Sequence, residues 1–187
     1  MCKQALNMKP VFVVGFMGSG KTGWGKRLAN TLKLEFVDLD WEIEKRIKKS
    51  ISELVLEEGI EEFRIIEHDV LLSLNYEDRL VATGGGTPCF YDNMEYINSL
   101  GTTVFFDVSE EILYSRLRSQ EHRDRPLIAS LSGEELRDFI AKSLEQRRPF
   151  YEQANLIFNP VKTSIDAMAK EIIAYDGSFN ASTVKIE

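Results

Sequence analysis

The stretch VFVVGFMGSGKT, Val11 to Thr22, constrains this chain more than any other. Its apolar start, Val11–Val14, has no polar alternation and reads as a strand buried on both faces, as in a parallel sheet. Gly15-x-x-x-x-Gly20-Lys21-Thr22 follows. Trp24, Leu28 and Leu32 then recur at helical spacing, which predicts a helix from Lys21 to about Leu32. Strand, glycine turn and helix form the setting in which G-x-x-x-x-G-K-[ST] wraps phosphate. Glycines let successive N–H groups turn inward around an anion. The helix adds the partial positive charge of its N-terminus. Lys21 is placed to reach the β- and γ-phosphates of a nucleotide, and the Thr22 hydroxyl to coordinate Mg2+. Gly23 sits badly in this helix, since an interior glycine weakens it by about 1 kcal/mol; close packing would account for it.

Beyond the loop, strands and helices alternate. Strands are predicted at Glu35–Leu39, Arg79–Ala82, Thr102–Val108 and Leu156–Phe158. Helices are predicted at Trp41–Lys49, Glu61 to about Leu74, Asp92–Leu100, Glu110–Arg118 and Ser164–Tyr175. Two more open on capping boxes, Ser50-Ile51-Ser52-Glu53 and Ser132-Gly133-Glu134-Glu135, the first stopping near Gly59 and the second near Arg147. The alternation predicts an α/β fold: three layers, a five-stranded parallel sheet, and helices on both faces. At 187 residues it fits one domain. The tail from Asp176 is polar and is expected to be mobile.

Charge narrows the function. A formal net charge of -7 argues against nucleic acid or an anionic membrane as the main partner, since both demand basic patches. Val11–Phe16 is too short to span a bilayer and no signal peptide precedes it, so a cytoplasmic protein is expected. Cys2 and Cys89 lack metal-type spacing and read as reduced bystanders.

A phosphate loop of this kind usually shares its Mg2+ with an acid at the end of an apolar strand. Asp107 follows a late strand, and Arg79–Ala82 ends in glycines. Asp38 and Asp40, in EFVDLD, are the stronger candidates. On a strand, residues two apart share a face, so both carboxylates are expected to emerge together at the C-terminal end of the sheet. One would hold the metal's water shell and the other would hold or deprotonate a substrate hydroxyl. The plain alternative is a pair of solvated acids, with Asp40 as an N-cap.

Arg64 lies in EEFRIIE, with Glu67 three residues on to hold it. Arg147 closes a later helix before Pro149. Arginine presents a planar fork suited to carboxylate, and Gly84-Gly85-Gly86 offers exposed backbone N–H groups. Together they suit a small anionic acceptor; singly they read as solvated arginines and a plain turn. Arg123 and Arg125, in the polar segment 120–130, suit either a lid closing over phosphate or an ordinary loop. His68 and His122 lack a metal-spaced partner and read as structural or solvent-facing.

In this order and spacing the segments resemble the shikimate kinase family over roughly residues 11–175. GFMGSGKT resembles its opening phosphate loop, LEFVDLDWEIEKRI its D-x-D segment and EEFRIIE its F-R-x-x-E helix. ATGGGTP resembles its triple-glycine loop, RPLI its lid motif and RRPFYEQA its R-x-P-x-Y motif. The resemblance implies a fold like that of the nucleoside monophosphate kinases, with strand order 2-3-1-4-5 and a lid at about 120–131. It implies ATP-dependent phosphorylation of the 3-hydroxyl of shikimate, on the route to chorismate and the aromatic amino acids. ATP and shikimate would be the partners, Mg2+ the cofactor, and a monomer the expected state. Gly18, Ser19, Gly20, Lys21, Thr22 and Gly23 would cradle the ATP phosphates, with Thr22 and Asp38 at the metal. Asp40 would bind the acceptor hydroxyls and act as base. Arg64 and Arg147 would clamp its carboxylate beside Gly84, Gly85 and Gly86, and Arg125 would meet the transferring phosphate. Two positions depart from the family pattern: Ile60 stands where glutamate is usual, and Gly23 where a hydroxyl residue is usual.

Other readings remain at this stage. A kinase of similar fold acting on gluconate or a nucleoside monophosphate is the nearest. A nucleotide-dependent regulatory protein, in which binding or hydrolysis is the whole function, is the other.

Overall fold

Alternate residues of the central strand face two different cores. In a computed structural model, which describes residues 8–118 and 128–183 and those after Asp176 by backbone alone, Phe12 and Val14 enter one hydrophobic cluster. Val11 and Val13 enter the other. A strand buried on both faces has no polar side to show, which is why its sequence does not alternate.

The elements run β1 (Val11–Val14), α1 (Lys21–Leu32), β2 (Glu35–Asp38), α2 (Leu39–Ile47), α3 (Ile51–Glu58), α4 (Ile60–Ser73) and β3 (Arg79–Ala82). A 3-10 turn (Thr87–Cys89) leads to α5 (Asn93–Leu100), β4 (Thr102–Phe106), α6 (Glu110–Leu117), α7 (Gly133–Tyr151), β5 (Leu156–Phe158) and α8 (Ile165–Thr183). The five strands stand in the order β2-β3-β1-β4-β5, and every pairing is parallel. Leu28, Ala29 and Leu32 of α1 and Met168, Ala169 and Ile172 of α8 cover one face. Helices α2 to α7 supply the core on the other, with Leu39, Ile43, Phe63, Leu71, Ile97, Leu113, Ile140 and Tyr151 among the buried residues. The three layers and the strand order expected from the sequence are both present.

Several boundaries move, each for a local reason. The second strand stops at Asp38, because Asp38 caps α2: its side chain accepts from the Asp40 backbone N–H. Asp40 is therefore in the first helical turn, not on the strand and not the cap. The Ser50–Glu53 capping box forms in full. The one expected at Ser132 does not; the first turn of α7 closes through backbone bonds from Glu135 (3.1 Å) and Leu136 (3.4 Å) to the Ser132 carbonyl. Helix α7 also runs four residues past Arg147, through Pro149 to Tyr151. A proline in the last turn removes one N–H bond, and the fully buried Tyr151, whose hydroxyl donates to the Gly85 carbonyl, holds the turn in place. Helix α8 continues past Tyr175 to Thr183, anchored where the buried Asp176 side chain accepts from the Lys9 N–H at 3.4 Å.

The close packing expected of Gly23 belongs instead to Gly25. A Cβ on Gly23 would meet nothing within 4 Å, whereas one on Gly25 would lie 2.9 Å from the Phe36 ring. Helix α1 approaches the sheet at Gly25, and Gly23 faces outward.

Candidate active site

Register brings the functional segments together. Val13 pairs with Ala82, and Ala82 with Asp38. The chain therefore leaves β1, β2 and β3 side by side, at the carboxyl end of the sheet where open parallel sheets bind ligands. Thr83 fastens the two glycine loops there, its N–H and hydroxyl both donating to the Val13 carbonyl at 3.1 and 3.2 Å. A Cβ on Gly85 would lie 3.1 Å from the Met17 backbone nitrogen, so the second loop rests directly on the first.

The first loop lines a cleft of about 570 Å³ with Gly18, Gly20, Lys21, Thr22 and Gly23, together with Asp38, Asp40 and Thr83. Gly15, Gly18 and Gly20 hold φ values of +141°, +79° and +97°, a region that side-chain-bearing residues rarely enter. The Lys21 ammonium is buried and donates to the carbonyls of Gly15 (2.7 Å) and Phe16 (3.0 Å). Thr22 donates its hydroxyl to Asp38 Oδ2 at 2.7 Å. Ser19 Oγ is buried without a hydrogen-bond partner in the loop itself.

Beside this cleft lies a second cavity of about 280 Å³. Its polar side carries Asp40, Arg64, Glu67, Gly84–Gly86 and Arg147; its apolar side carries Ile51 and Val55 of α3 and Ile60 and Phe63 of α4. Ile60 is thus a wall residue. Asp40, Met17 and Gly85 line both cavities, so Asp40 stands at their junction. Arg64 is 8% exposed and its guanidinium lies between the Phe63 and Phe90 rings, 4.8 and 4.6 Å from their centroids. Its Nη1 donates to Glu67 Oε2 at 2.5 Å, while its Nε is buried with no partner among the described residues. Arg147 reaches the Gly85 carbonyl at 3.4 Å.

Gly84 is required by crowding. A Cβ there would come within 2.5 Å of Glu67 Oε1, 2.8 Å of Thr87 Oγ1 and 2.9 Å of Asp40 Oδ1. Gly84→Ala is expected to raise the acceptor KM at least about tenfold by displacing these oxygens, while ATP affinity persists. Steady-state kinetics varying each substrate separately check this, and an unchanged acceptor KM would contradict it.

The remaining expectations sort cleanly. Asp107 is ion-paired with Arg148 at 3.0 Å and is not among the residues lining either cavity. His68 is structural, its Nδ1 2.7 Å from Asn93 Oδ1 and its ring against Tyr91. Burial pushes the Cys89 thiol up to about 11, so it stays protonated at neutral pH. Arg123, Arg125, His122 and Cys2 lie outside the described residues. No described helix is long and apolar enough to cross a membrane. Arg116 was not foreseen. It lines the larger cleft and its Nη1 donates to the Gly18 carbonyl at 2.7 Å. Its only sequence signal is its position in α6 three residues after the buried Leu113, on the flank of the core-facing stripe.

A nucleotide-type cleft joined to an arginine-lined pocket across one glycine loop belongs to the P-loop kinases of small molecules. Comparison with known proteins narrows the class. The shikimate kinase family model matches residues 17–176. A shikimate kinase of Parabacteroides distasonis is 49% identical over 166 residues, covering 88% of this chain and 95% of the relative. The crystal structure of shikimate kinase from Bacteroides thetaiotaomicron is 41% identical, with a TM-score of 0.79 over 88% of this chain and 96% of that one. A structure of shikimate kinase from Acinetobacter baumannii in complex with shikimate is 29% identical, with a TM-score of 0.79 over 95% and 96%. The chain belongs to the shikimate kinase family.

Proposed function

We propose that this protein transfers the γ-phosphate of ATP to the 3-hydroxyl of shikimate, giving shikimate 3-phosphate and ADP on the route to chorismate. The observation that carries the reading is Arg64: a buried guanidinium whose Nε has no partner among the described residues, in a cavity that also holds Arg147. A buried donor without a partner is costly, and a carboxylate of the acceptor would satisfy it in the planar geometry arginine prefers. The apolar wall of Ile51, Val55, Ile60 and Phe63 suits the hydrocarbon side of a six-membered ring. A nucleoside monophosphate would bring a base and a phosphate, for which a cavity of this size and lining is poorly suited.

The donor side follows from the loop. Gly18–Gly20 backbone and Lys21 would hold the β- and γ-phosphates, with Gly23 opening the helix start beside them. Thr22 and Asp38 supply two hard oxygens 2.7 Å apart at the phosphate cleft. That donor set fits Mg2+, which takes one or two protein ligands and completes its shell with phosphate and water. Held there, Mg2+ would supply positive charge to offset that of the nucleotide phosphates. Asp40, at the junction of the cavities, would hold the acceptor hydroxyl in line and take up its proton as the new bond forms.

Asp40→Asn keeps the shape and removes the charge. It is expected to lower kcat by about 10²–10⁴-fold, the usual range for a general base, and to leave ATP binding near the wild-type value. Near-normal turnover would remove Asp40 from the mechanism. The overall reading is tested by ADP release from MgATP with shikimate, gluconate or a nucleoside monophosphate supplied in turn. Stimulation by shikimate alone supports it. Stimulation by another acceptor, or by none with ATP still bound, would overturn it.

A further inference from the structure

Behind Arg64 lies a buried polar arrangement that the reaction scheme above does not use. Glu67 is 1% exposed, and its two carboxylate oxygens have different partners. Oε2 accepts from Arg64 Nη1 at 2.5 Å, and Oε1 accepts from the Thr87 hydroxyl at 2.5 Å. Thr87 is fully buried and starts the 3-10 turn after the glycine loop. It is fixed from behind. Its N–H donates to the Gly84 carbonyl at 3.3 Å, and its carbonyl accepts from Nδ2 of the fully buried Asn93 at 2.9 Å.

A carboxylate facing an arginine frequently takes a two-point fork when both its oxygens are turned to it. Here Oε1 is turned to the Thr87 hydroxyl and Oε2 alone meets Arg64, so Glu67 holds Arg64 at a single point. The guanidinium edge made by Nε and Nη2 is left outside the pair. On that edge Nε has no partner among the described residues, and Nη2 passes so close to Gly86 that a Cβ there would lie 2.5 Å away. An acceptor carboxylate can take this two-nitrogen edge as a fork.

We infer that Thr87 is a positioning residue for the acceptor: by turning Glu67 Oε1 to itself it keeps Glu67 from closing a fork on Arg64, and so leaves the Nε–Nη2 edge of Arg64 for the acceptor carboxylate. The inference rests on the shikimate kinase reading and adds to it a residue that touches neither substrate. Without the hydroxyl, Glu67 Oε1 becomes a buried, unsatisfied acceptor. The nearest remedy is a second bond to Arg64, which rotates the guanidinium and draws Nη2 away from the substrate.

The test compares Thr87→Val, which keeps the shape and removes the hydroxyl, with Thr87→Ser, which keeps the hydroxyl. Shikimate KM, ATP KM, kcat and Tm are measured for both and for the wild type. The expected result is a shikimate KM raised about tenfold or more in T87V, as for loss of a hydrogen bond to a charged group, with kcat falling less than KM rises. ATP KM should stay within about twofold, since the phosphate loop is untouched, and T87S should return shikimate KM toward the wild-type value. An unmoved KM in T87V, or equal impairment in both variants, overturns the role of the hydroxyl. If T87V fails to fold, Thr87→Ala is read in the same way, and failure of both to fold makes the residue structural and also overturns the inference. A wild type that gives no shikimate-dependent ADP release would instead overturn the functional reading beneath it.

Discussion

Lys21→Met will lower kcat by about a thousandfold, the upper part of the range for removing a preorganised donor at a developing charge. The ammonium is already buried among carbonyls at the base of the loop, so binding ATP needs only a short swing of the side-chain end, not a search. Methionine fills the same volume without the charge, which keeps the loss in the chemistry. The fold should survive, because methionine takes the lysine's place in the loop without adding bulk. The check is single-turnover phosphoryl transfer with saturating ATP and acceptor, beside a nucleotide Kd and a melting curve. A rate within tenfold of wild type at unchanged Tm would mean that the loop backbone alone stabilises the transferring group.

The second large effect is expected on the acceptor side. Arg64→Ala will weaken shikimate by about 2–5 kcal/mol, roughly thirtyfold or more in KM, because it removes a buried cation from its anion. Part of that change has nothing to do with substrate. Glu67, 1% exposed, is left as an uncompensated buried charge, and breaking such a pair destabilises a fold by about 3–5 kcal/mol. The two losses can be separated. Adding Glu67→Gln to Arg64→Ala should recover much of the Tm and none of the acceptor KM. An acceptor KM and kcat unchanged in Arg64→Ala would rule out its role as a carboxylate clamp.

What could be read from the sequence was what is contiguous. The phosphate loop packs strand, glycines, lysine and hydroxyl into Val11–Thr22, so the physics is local and the structure repeats it. Asp38 and Asp40 both line the phosphate cleft, though not by the route expected. Strand alternation was expected to align the two acids, whereas Asp38 ends the strand and turns the chain into the helix that carries Asp40. The capping rule worked at Ser50 and not at Ser132, where the backbone closes the turn unaided. Pro149 suggested a helix end because the rule sees the missing N–H; it does not see the buried tyrosine two residues on whose hydroxyl grips the glycine loop. Arg116 and Thr87 left almost no trace. The first meets its partner 98 residues away and the second 20, and neither pairing has a spacing that a linear reading would search.

The apolar wall of the acceptor cavity and the phosphate cleft beside it have different origins in the chain. The wall is built by α3 and the start of α4, while Lys21, Thr22, Asp38 and Asp40 of the cleft follow from the ends of β1 and β2. Substitutions at Ile51, Val55 or Ile60 can therefore reshape which ring fits without disturbing the register that sets the phosphate loop. Met17, Asp40 and Gly85 are the exceptions, because they line both cavities. For evolution or for an engineer, this makes acceptor choice a separable trait: a new specificity can be explored by side-chain change on two short helices, while the catalytic machinery is inherited intact.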